Sequence, residues 1–314
     1  MAADRKPPIA VLTGPTGTGK SDFALRLARE FPVEIVSVDS AQVYRGLDIG
    51  SAKPDAATRA VVRHHLLDLV DANAVYSAGQ FVRDAMDAIA DIEARGRFPL
   101  LVGGTMLYLR ALIGGIASLP RASEQIRADI DVEARRLGWP AMHTRLAAVD
   151  AAAAARIHPN DAQRIQRALE VHAIGGRPIS ELQRATAPML ARNFLVAALV
   201  PADRAALHAR VAQRFEDMMA AGLLEEVRTL YARGDLTPDT PAIRAVGYRQ
   251  LWSHLAGECS LDAAVERAVA ATRQLAKRQM TWLRSMPNIH VVDPYDVQGF
   301  VGARESLIAA FCLL

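Results

Sequence analysis

Cysteine is nearly absent from this chain of 314 residues, which holds only Cys259 and Cys312. One pair supplies neither a disulfide framework nor an all-cysteine metal site. No apolar run approaches the roughly 18–20 residues that a membrane-spanning helix needs, so no membrane partner is expected. The stretch from Met1 to Pro8 carries Asp4, Arg5 and Lys6 and lacks the apolar segment of a secretory signal, which makes a cytoplasmic location the expectation. His64, His65, His143 and His158 show no metal-ligand spacing and read as surface or capping residues. No repeat of fixed period runs through the chain.

What is present is the composition of a folded protein, 51% hydrophobic and 23% charged. The length exceeds one ordinary core of roughly 100–200 residues, so a large domain with an insertion, or two domains, is expected. Thirty-seven basic residues against 34 acidic ones give a net charge of +3, too mild to argue for a nucleic acid. The distribution says more: Arg267 to Val292 holds five Lys or Arg residues and no Asp or Glu.

Short apolar runs alternate with helical patterns. Ile9–Leu12, Val33–Val38, Phe98–Val102, Phe194–Val200 and Ile289–Val292 read as strands buried on both faces. Ser21–Glu30, Ala78–Arg95 and Met106–Ile113 read as helices between them. This order implies an α/β fold, a mainly parallel sheet covered by helices. From about Ser123 to Arg184 only helical patterns occur, broken at Gly138-Trp139-Pro140, His158-Pro159-Asn160 and Gly175-Gly176. Residues 120–190 are therefore expected to be a helical insertion, with 1–119 and 191–314 forming the α/β core. Gly299–Leu314 reads as a last helix, and nothing signals self-association, so a monomer is expected.

Gly14-Pro15-Thr16-Gly17-Thr18-Gly19-Lys20-Ser21 fits the pattern GxxxxGK[ST], follows an apolar strand and opens a helix. Its glycines let the backbone curl so that several N–H groups point at one anion. The helix that follows adds its positive N-terminal end. Lys20 brings a point charge to a terminal phosphate, and the Ser21 hydroxyl is a candidate Mg²⁺ ligand. The pattern points to a di- or triphosphate without choosing between them.

Asp39 ends the second apolar run, at the strand edge where open α/β sheets bind ligands. Two roles compete for it, a second-layer partner of Mg²⁺ or a general base toward an acceptor. A plain helix cap, from Asp39-Ser40 ahead of Ala41-Gln42, is the structural alternative. Gln42 offers a donor and an acceptor to a planar base edge. Gly103-Gly104-Thr105 ends another strand and permits close backbone approach, or makes a simple turn.

Further on, Asp203 reads as a helix N-cap, and Arg210 and Arg214, four apart, share a face that suits diphosphate oxygens. In 268–284 the helical pitch lines up Arg273, Lys277 and Arg284 in one stripe, with Ala268, Ala271, Leu275 and Trp282 opposite. Trp282 thus reads as core rather than as a base-stacking platform. An acid-free stripe suits a phosphodiester backbone.

Taken together these segments resemble the bacterial tRNA dimethylallyltransferases, also called tRNA isopentenyltransferases. The likeness runs through nearly the whole chain. Besides the phosphate loop it rests on Val38-Asp39-Ser40-Ala41-Gln42-Val43-Tyr44, Asp48-Ile49-Gly50-Ser51-Ala52-Lys53-Pro54, Gly103–Tyr108, His158-Pro159-Asn160-Asp161, Gln163-Arg164, Gly247–Gln250 and Thr272–Gln279. It implies a P-loop NTPase-like core, Mg²⁺, and transfer of a dimethylallyl group from dimethylallyl diphosphate to the exocyclic amine of the adenosine 3′ of the anticodon. It also implies that the helical insertion grips the tRNA anticodon stem-loop.

In that light Asp39, Lys20, Ser21, Thr105, Arg210 and Arg214 are the expected catalytic set. The positions expected to contact tRNA are Asp39, Ser40, Ala41, Gln42, Thr105 and Arg127; Gln163, Arg164, Ile165, Gln166 and Arg167; Arg244, Ala245, Val246, Gly247, Tyr248 and Arg249; and Lys277, Arg278, Gln279, Met280, Thr281, Trp282, Leu283 and Arg284. Two competing readings share parts of the pattern. A small-molecule or nucleotide kinase explains the phosphate loop, and a non-catalytic RNA-binding module explains the basic helices.

Overall fold

A computed structural model describes residues 7–117, 119–184 and 192–311. Two compact units divide the chain, Met1–Ala111 with Ala191–Leu314, and Leu112–Leu190. The break thus comes earlier than the expected 119/120. The expected return at 190/191, the first six residues and the last three of the expected terminal helix lie outside the described residues.

The first unit begins β1 (Ile9–Thr13), α1 (Lys20–Glu30), β2 (Val33–Val38), α2 (Ala56–Val61), β3 (His64–His65), α3 (Ala78–Ala94), β4 (Phe98–Gly103), with α4 (Met106–Gly114) running into the second unit. The second holds α5 (Glu124–Leu137), α6 (Trp139–Val149), α7 (Ala151–Ala154), α8 (Ala162–Gly175) and α9 (Ile179–Arg184). The chain then completes the first unit with β5 (Phe194–Leu199), α10 (Arg204–Ala220), α11 (Leu223–Tyr231), α12 (Tyr248–Leu255), α13 (Leu261–Arg284), β6 (Ile289–Val292) and α14 (Val297–Ile308).

All strand pairs are parallel, in the order β3-β2-β4-β1-β5-β6. β1 and β2 are buried at every residue, as expected for strands covered on both faces. Helix α1 presents Phe23, Ala24 and Leu27 to that sheet, and each large apolar side chain so buried contributes about 1.5–3 kcal/mol. Two strand expectations need correction. His64 and His65, read as surface residues, form β3 beside β2. β6 is not buried on both faces: it is the sheet's edge, with Val291 55% exposed.

The sheet order places β1 between β4 and β5, so chain leaving β1, β2 and β4 converges at one carboxyl edge. Gly14 follows β1 at φ +149°, and a Cβ there would lie 2.4 Å from the carbonyl oxygen of Leu199. Gly103 is equally constrained, its missing Cβ only 2.1 Å from the Val38 carbonyl oxygen. Only glycine lets these backbones approach so closely.

The helical unit has its own core, built on Ile130, Met142, Leu146, Ile165 and Leu169. Two buried carboxylates tie its helices. Asp150 caps α7 through the amide of Ala153 and accepts from the amide of Ser180 at the start of α9. Glu170, fully buried on α8, accepts from the amide of Ser123 and from Arg127 and Arg167.

Candidate active site

The phosphate loop spans the end of β1 and the start of α1. Gly17 and Gly19 hold φ +84° and +81°, the left-handed region that turns successive amides inward. The Thr18 hydroxyl donates to the Pro15 carbonyl at 2.9 Å, and Lys20 Nζ donates to the same oxygen at 2.7 Å, so the loop braces itself. Burial and the neighbouring Arg214 cation push Lys20 down to about 7, with Asp39 partly offsetting them. Lys20 and Arg214 thus share this end of the loop with two carboxylates, Asp39 and Asp22.

Two cavities adjoin the loop. The smaller, about 240 Å³, is lined by Thr16, Lys20, Ser21, Ser37, Asp39, Gln42, His64 and Arg214 among others. The larger, about 500 Å³, is lined by Asp39, Ser40, Ala41, Thr105, Arg244, Arg278 and Trp282 and by an apolar set that includes Met106, Leu107, Val211, Phe215, Met218 and Leu275. Thr16, Asp39, Ser51, Gly104, Arg214 and Gln279 line both.

Asp39 stands just beyond β2. Its Oδ1 accepts from the amides of Ala41 and Gln42 at 2.8 and 3.3 Å, so the expected cap exists, as a turn rather than a helix start. Among the described residues its other oxygen accepts no hydrogen bond. One oxygen orients the carboxylate and the other is left for a ligand. Thr105 supports the same turn, its Oγ1 accepting from the Ser40 amide at 3.0 Å. The Ser21 hydroxyl lines the smaller cavity without a protein partner among the described residues.

The expected arginine pair separates. Arg214 donates to Thr16 Oγ1 at 3.1 Å, and its burial pushes the guanidinium below its usual range while Asp39 and Asp22 pull it back up. Arg210 lies exposed, stacked 5.3 Å from the ring centre of Tyr295, and lines neither cavity. One helical turn moves it out of the site. Asp203 caps α10 as expected, accepting from the amides of Ala205 and Ala206.

The IPP transferase family model matches residues 42–286. A protein of Bordetella pertussis named tRNA dimethylallyltransferase is 56% identical over 289 residues, 91% of this chain and 92% of that one. One of Paraburkholderia phymatum with the same name is 57% identical over 290 residues, at 91% and 92% coverage. The tRNA isopentenylpyrophosphate transferase of Bacillus halodurans superposes with a TM-score of 0.70 at 33% identity, covering 97% of both chains. A eukaryotic dimethylallyltransferase described as acting on tRNA gives 0.79 at 30% identity, over 94% of this chain and 75% of that one. The chain belongs to the IPP transferase family.

Several positions expected to touch tRNA have other work. Gln42 spends its amide inside the protein, donating to the carbonyls of Ser51 and Ala52 and accepting from the Ser37 hydroxyl. Gln279, 7% exposed, accepts from the Thr16 amide at 3.0 Å and donates to the Gly104 carbonyl at 2.7 Å. It is a strut between the loops after β1 and β4. Ile165, Met280 and Leu283 are buried among apolar neighbours, and Tyr248 is buried with its hydroxyl donated to Glu226. Gly247 is buried at the start of α12. These groups are engaged within the protein, although Gln279 and Tyr248 also line the larger cavity.

Others are free. Lys277, Arg278, Thr281 and Arg284 are exposed on α13, as are Arg244 and Arg249 at α12, and Arg278 and Arg244 border the larger cavity with Ala245 and Val246. Arg273 leaves the expected stripe: it is half-buried, and its Nε is enclosed. Trp282 is core on one side, packed with Met106, Ala198 and Leu283, while it lines the larger cavity and lies under Arg110. Leu275, placed by the sequence on the same face as Trp282, is half-buried at the same cavity.

In the helical unit Gln163 and Arg164 are exposed, whereas Gln166 bonds Asp131. Arg127 and Arg167 both pair with the buried Glu170, bonds that belong to the packing of the unit.

Sequence reasoning missed Glu226, which holds the segment 48–50 against the larger cavity. Its carboxylate accepts from the amides of Asp48, Ile49 and Gly50 and from the Tyr248 hydroxyl. A Cβ on Gly50 would lie 2.6 Å from the Tyr248 ring, which explains the glycine. Lys53, almost wholly buried, clamps the same segment through Asp48, Asp68 and the Tyr44 carbonyl.

Proposed function

We propose that this protein is a tRNA dimethylallyltransferase. It moves the dimethylallyl group of dimethylallyl diphosphate to the exocyclic N6 amine of adenosine 37, 3′-adjacent to the anticodon, in tRNAs that read codons beginning with U. The products are N6-dimethylallyladenosine and diphosphate. The observation that carries this reading is the position of Asp39, which lines both the cavity holding Lys20 and Ser21 and the larger one with apolar walls. A diphosphate on the loop and a flipped base in the larger cavity meet at this carboxylate. Membership of the IPP transferase family, and relatives named for this activity, support it over a kinase use of the same loop.

The reaction breaks the bond between the allylic carbon C1 and the diphosphate oxygen and forms a bond from N6 to C1. Negative charge grows on the leaving diphosphate, where the loop amides, Lys20 and Arg214 stabilise it. The adenine amine is a weak nucleophile because its lone pair is delocalised into the ring. The free Asp39 oxygen accepts a hydrogen bond from N6–H, holds the amine in line with C1 and takes the proton as the new bond forms. Ser21 suits Mg²⁺, a hard cation that binds few protein oxygens alongside phosphate oxygens, and the ion would add charge stabilisation at the leaving group.

Exposed basic residues of α13 and α12, and Gln163 and Arg164 of the helical unit, contact the anticodon stem-loop. The protein works as a monomer in the cytoplasm; among the described residues no helix is long and apolar enough to cross a membrane.

The test combines the protein with Mg²⁺, dimethylallyl diphosphate and unmodified tRNA carrying A37, followed by mass spectrometry of the digested nucleosides. A dimethylallyl increment on adenosine is expected. Asp39→Asn keeps an acceptor for the Ala41 and Gln42 amides but cannot take a proton, so its turnover falls about 10²–10⁴-fold while tRNA still binds. Near-normal turnover in that variant would refute the base assignment.

A further inference from the structure

We propose that Phe215 and Met218 of α10 form the end wall of the prenyl site and restrict the donor to a five-carbon chain. The inference rests on the transferase reading above and goes beyond it, since that reading names the donor but not what would exclude a longer one.

Helix α10 acts as a ruler laid from the phosphate loop outward. Near its start Leu207 and Val211 touch the loop: a Cβ on Gly17 would lie 3.4 Å from each. One turn on, Arg214 bonds Thr16 Oγ1 of the same loop. Val211, Arg214, Phe215 and Met218 stand at i, i+3, i+4 and i+7, share one helix face and all line the larger cavity. At 1.5 Å per residue Met218 lies about 6 Å farther along the axis than Arg214. The four-carbon backbone of a dimethylallyl group reaches about 4 Å from C1, and a second isoprene unit adds roughly 5 Å, by bonds of about 1.5 Å. With the diphosphate held at Arg214 and the chain laid along this face, the shorter chain ends before Met218 and the longer one runs into it.

The wall cannot easily yield. Phe215 is 5% exposed, and its ring sits 3.4 Å from where a Gly247 Cβ would stand, so it is backed by the start of α12. Leu275 of α13 lines the same cavity and completes its apolar lining. Close packing makes displacement of such a ring costly.

The experiment offers the full-length enzyme, with Mg²⁺ and tRNA, an equal mixture of dimethylallyl and geranyl diphosphate, and reads the ratio of the two modified adenosines. The wild type is expected to give the dimethylallyl product with geranyl below a hundredth of it. Met218→Ala, at a half-buried position, and Phe215→Leu, which keeps an apolar side chain, are each expected to raise the geranyl share at least tenfold. A variant that is merely less stable loses both products together and leaves the ratio where it was. An unchanged ratio in both variants overturns the wall, as does a higher KM for tRNA with unchanged donor choice, which would assign these residues to the base. Absence of both products from the wild type would instead refute the transferase reading.

Discussion

Lys20 shows how much one residue's surroundings decide. Its ammonium is held beside Arg214 in an enclosed loop, and burial with that repulsion brings its pKa to about 7. In the free protein it is therefore half-charged near neutral pH. A bound diphosphate adds negative charge beside the lysine and raises the pKa again, so binding above pH 7 takes up a proton. Below about pH 6 the lysine is already charged and no uptake remains. Affinity for magnesium-free diphosphate is expected to fall about tenfold per pH unit above 7, until the pKa of the bound state is reached. Calorimetry at pH 8 in buffers of different ionisation enthalpy should find about 0.9 proton taken up. Lys20→Arg stays charged throughout, so the difference between the two proteins separates this lysine from the titration of diphosphate itself. An equal proton count in both would show that Lys20 is not the titrating group. At this scale the phosphate loop was readable because its chemistry is contiguous. Gln42 and Gln279 were not: a side-chain amide suits a base edge and a backbone strut equally well, and only the fold brings Thr16 and Gly104 to Gln279.

At the scale of elements, the segment after β2 is shaped from a distance. Residues 48–53 form turns, with the Ala52 amide donating to the Ile49 carbonyl and the Lys53 amide to the Asp48 carbonyl, and are held by the Lys53 side chain from within and by Glu226 of α11 from far along the chain. Lys53 is 1% exposed and bonds Asp48 and Asp68, both at 2.6 Å. Burial works against ionisation of Asp68, but Lys53 and Arg59 outweigh it and hold its carboxyl below the usual range. Lys53→Met keeps most of the apolar stem and removes the charge. It should cost about 2–3 kcal/mol in urea unfolding, toward the lower end for a broken buried pair because Asp48 is 60% exposed and regains water. The lost stability should shrink as pH falls through the Asp68 pKa, because the protonated carboxyl no longer needs the cation. A penalty independent of pH would mean that packing, not charge, is what Lys53 supplies. The motif Asp48–Pro54 was visible in the sequence as a resemblance, yet its partner Glu226 was not, being 176 to 178 residues from the amides it holds. Strands and helices emerged from local periodicity; β3, two residues long, offered none.

Across the whole molecule the charge excess is only +3, so recognition of an RNA has to come from where cations are left unpaired. The sequence shows the density of Lys and Arg but not which of them a buried carboxylate has already claimed. In the helical unit the distinction is sharp. Arg164 is 66% exposed and among the described residues meets only Asp161, at 3.4 Å, whereas Arg127 reaches the fully buried Glu170 at 2.9 Å. On the core unit Lys277 is exposed with no acid between Arg267 and Val292. A cation that neutralises a phosphate contributes about 0.7–0.9 to the slope of log affinity against log salt. Arg164→Ala and Lys277→Ala are thus each expected to weaken tRNA binding and make that slope shallower by nearly one unit, with melting temperature unchanged. Arg127→Ala should do the reverse, lowering the melting temperature because Glu170 keeps only Arg167 and the Ser123 amide, while the salt slope of the folded protein stays as it was. Filter-binding titrations from 50 to 300 mM salt, run beside thermal melts of the same three variants, separate the two roles. A shallower slope for Arg127→Ala would return that residue to the RNA face and make its bond to Glu170 a resting contact that the tRNA replaces.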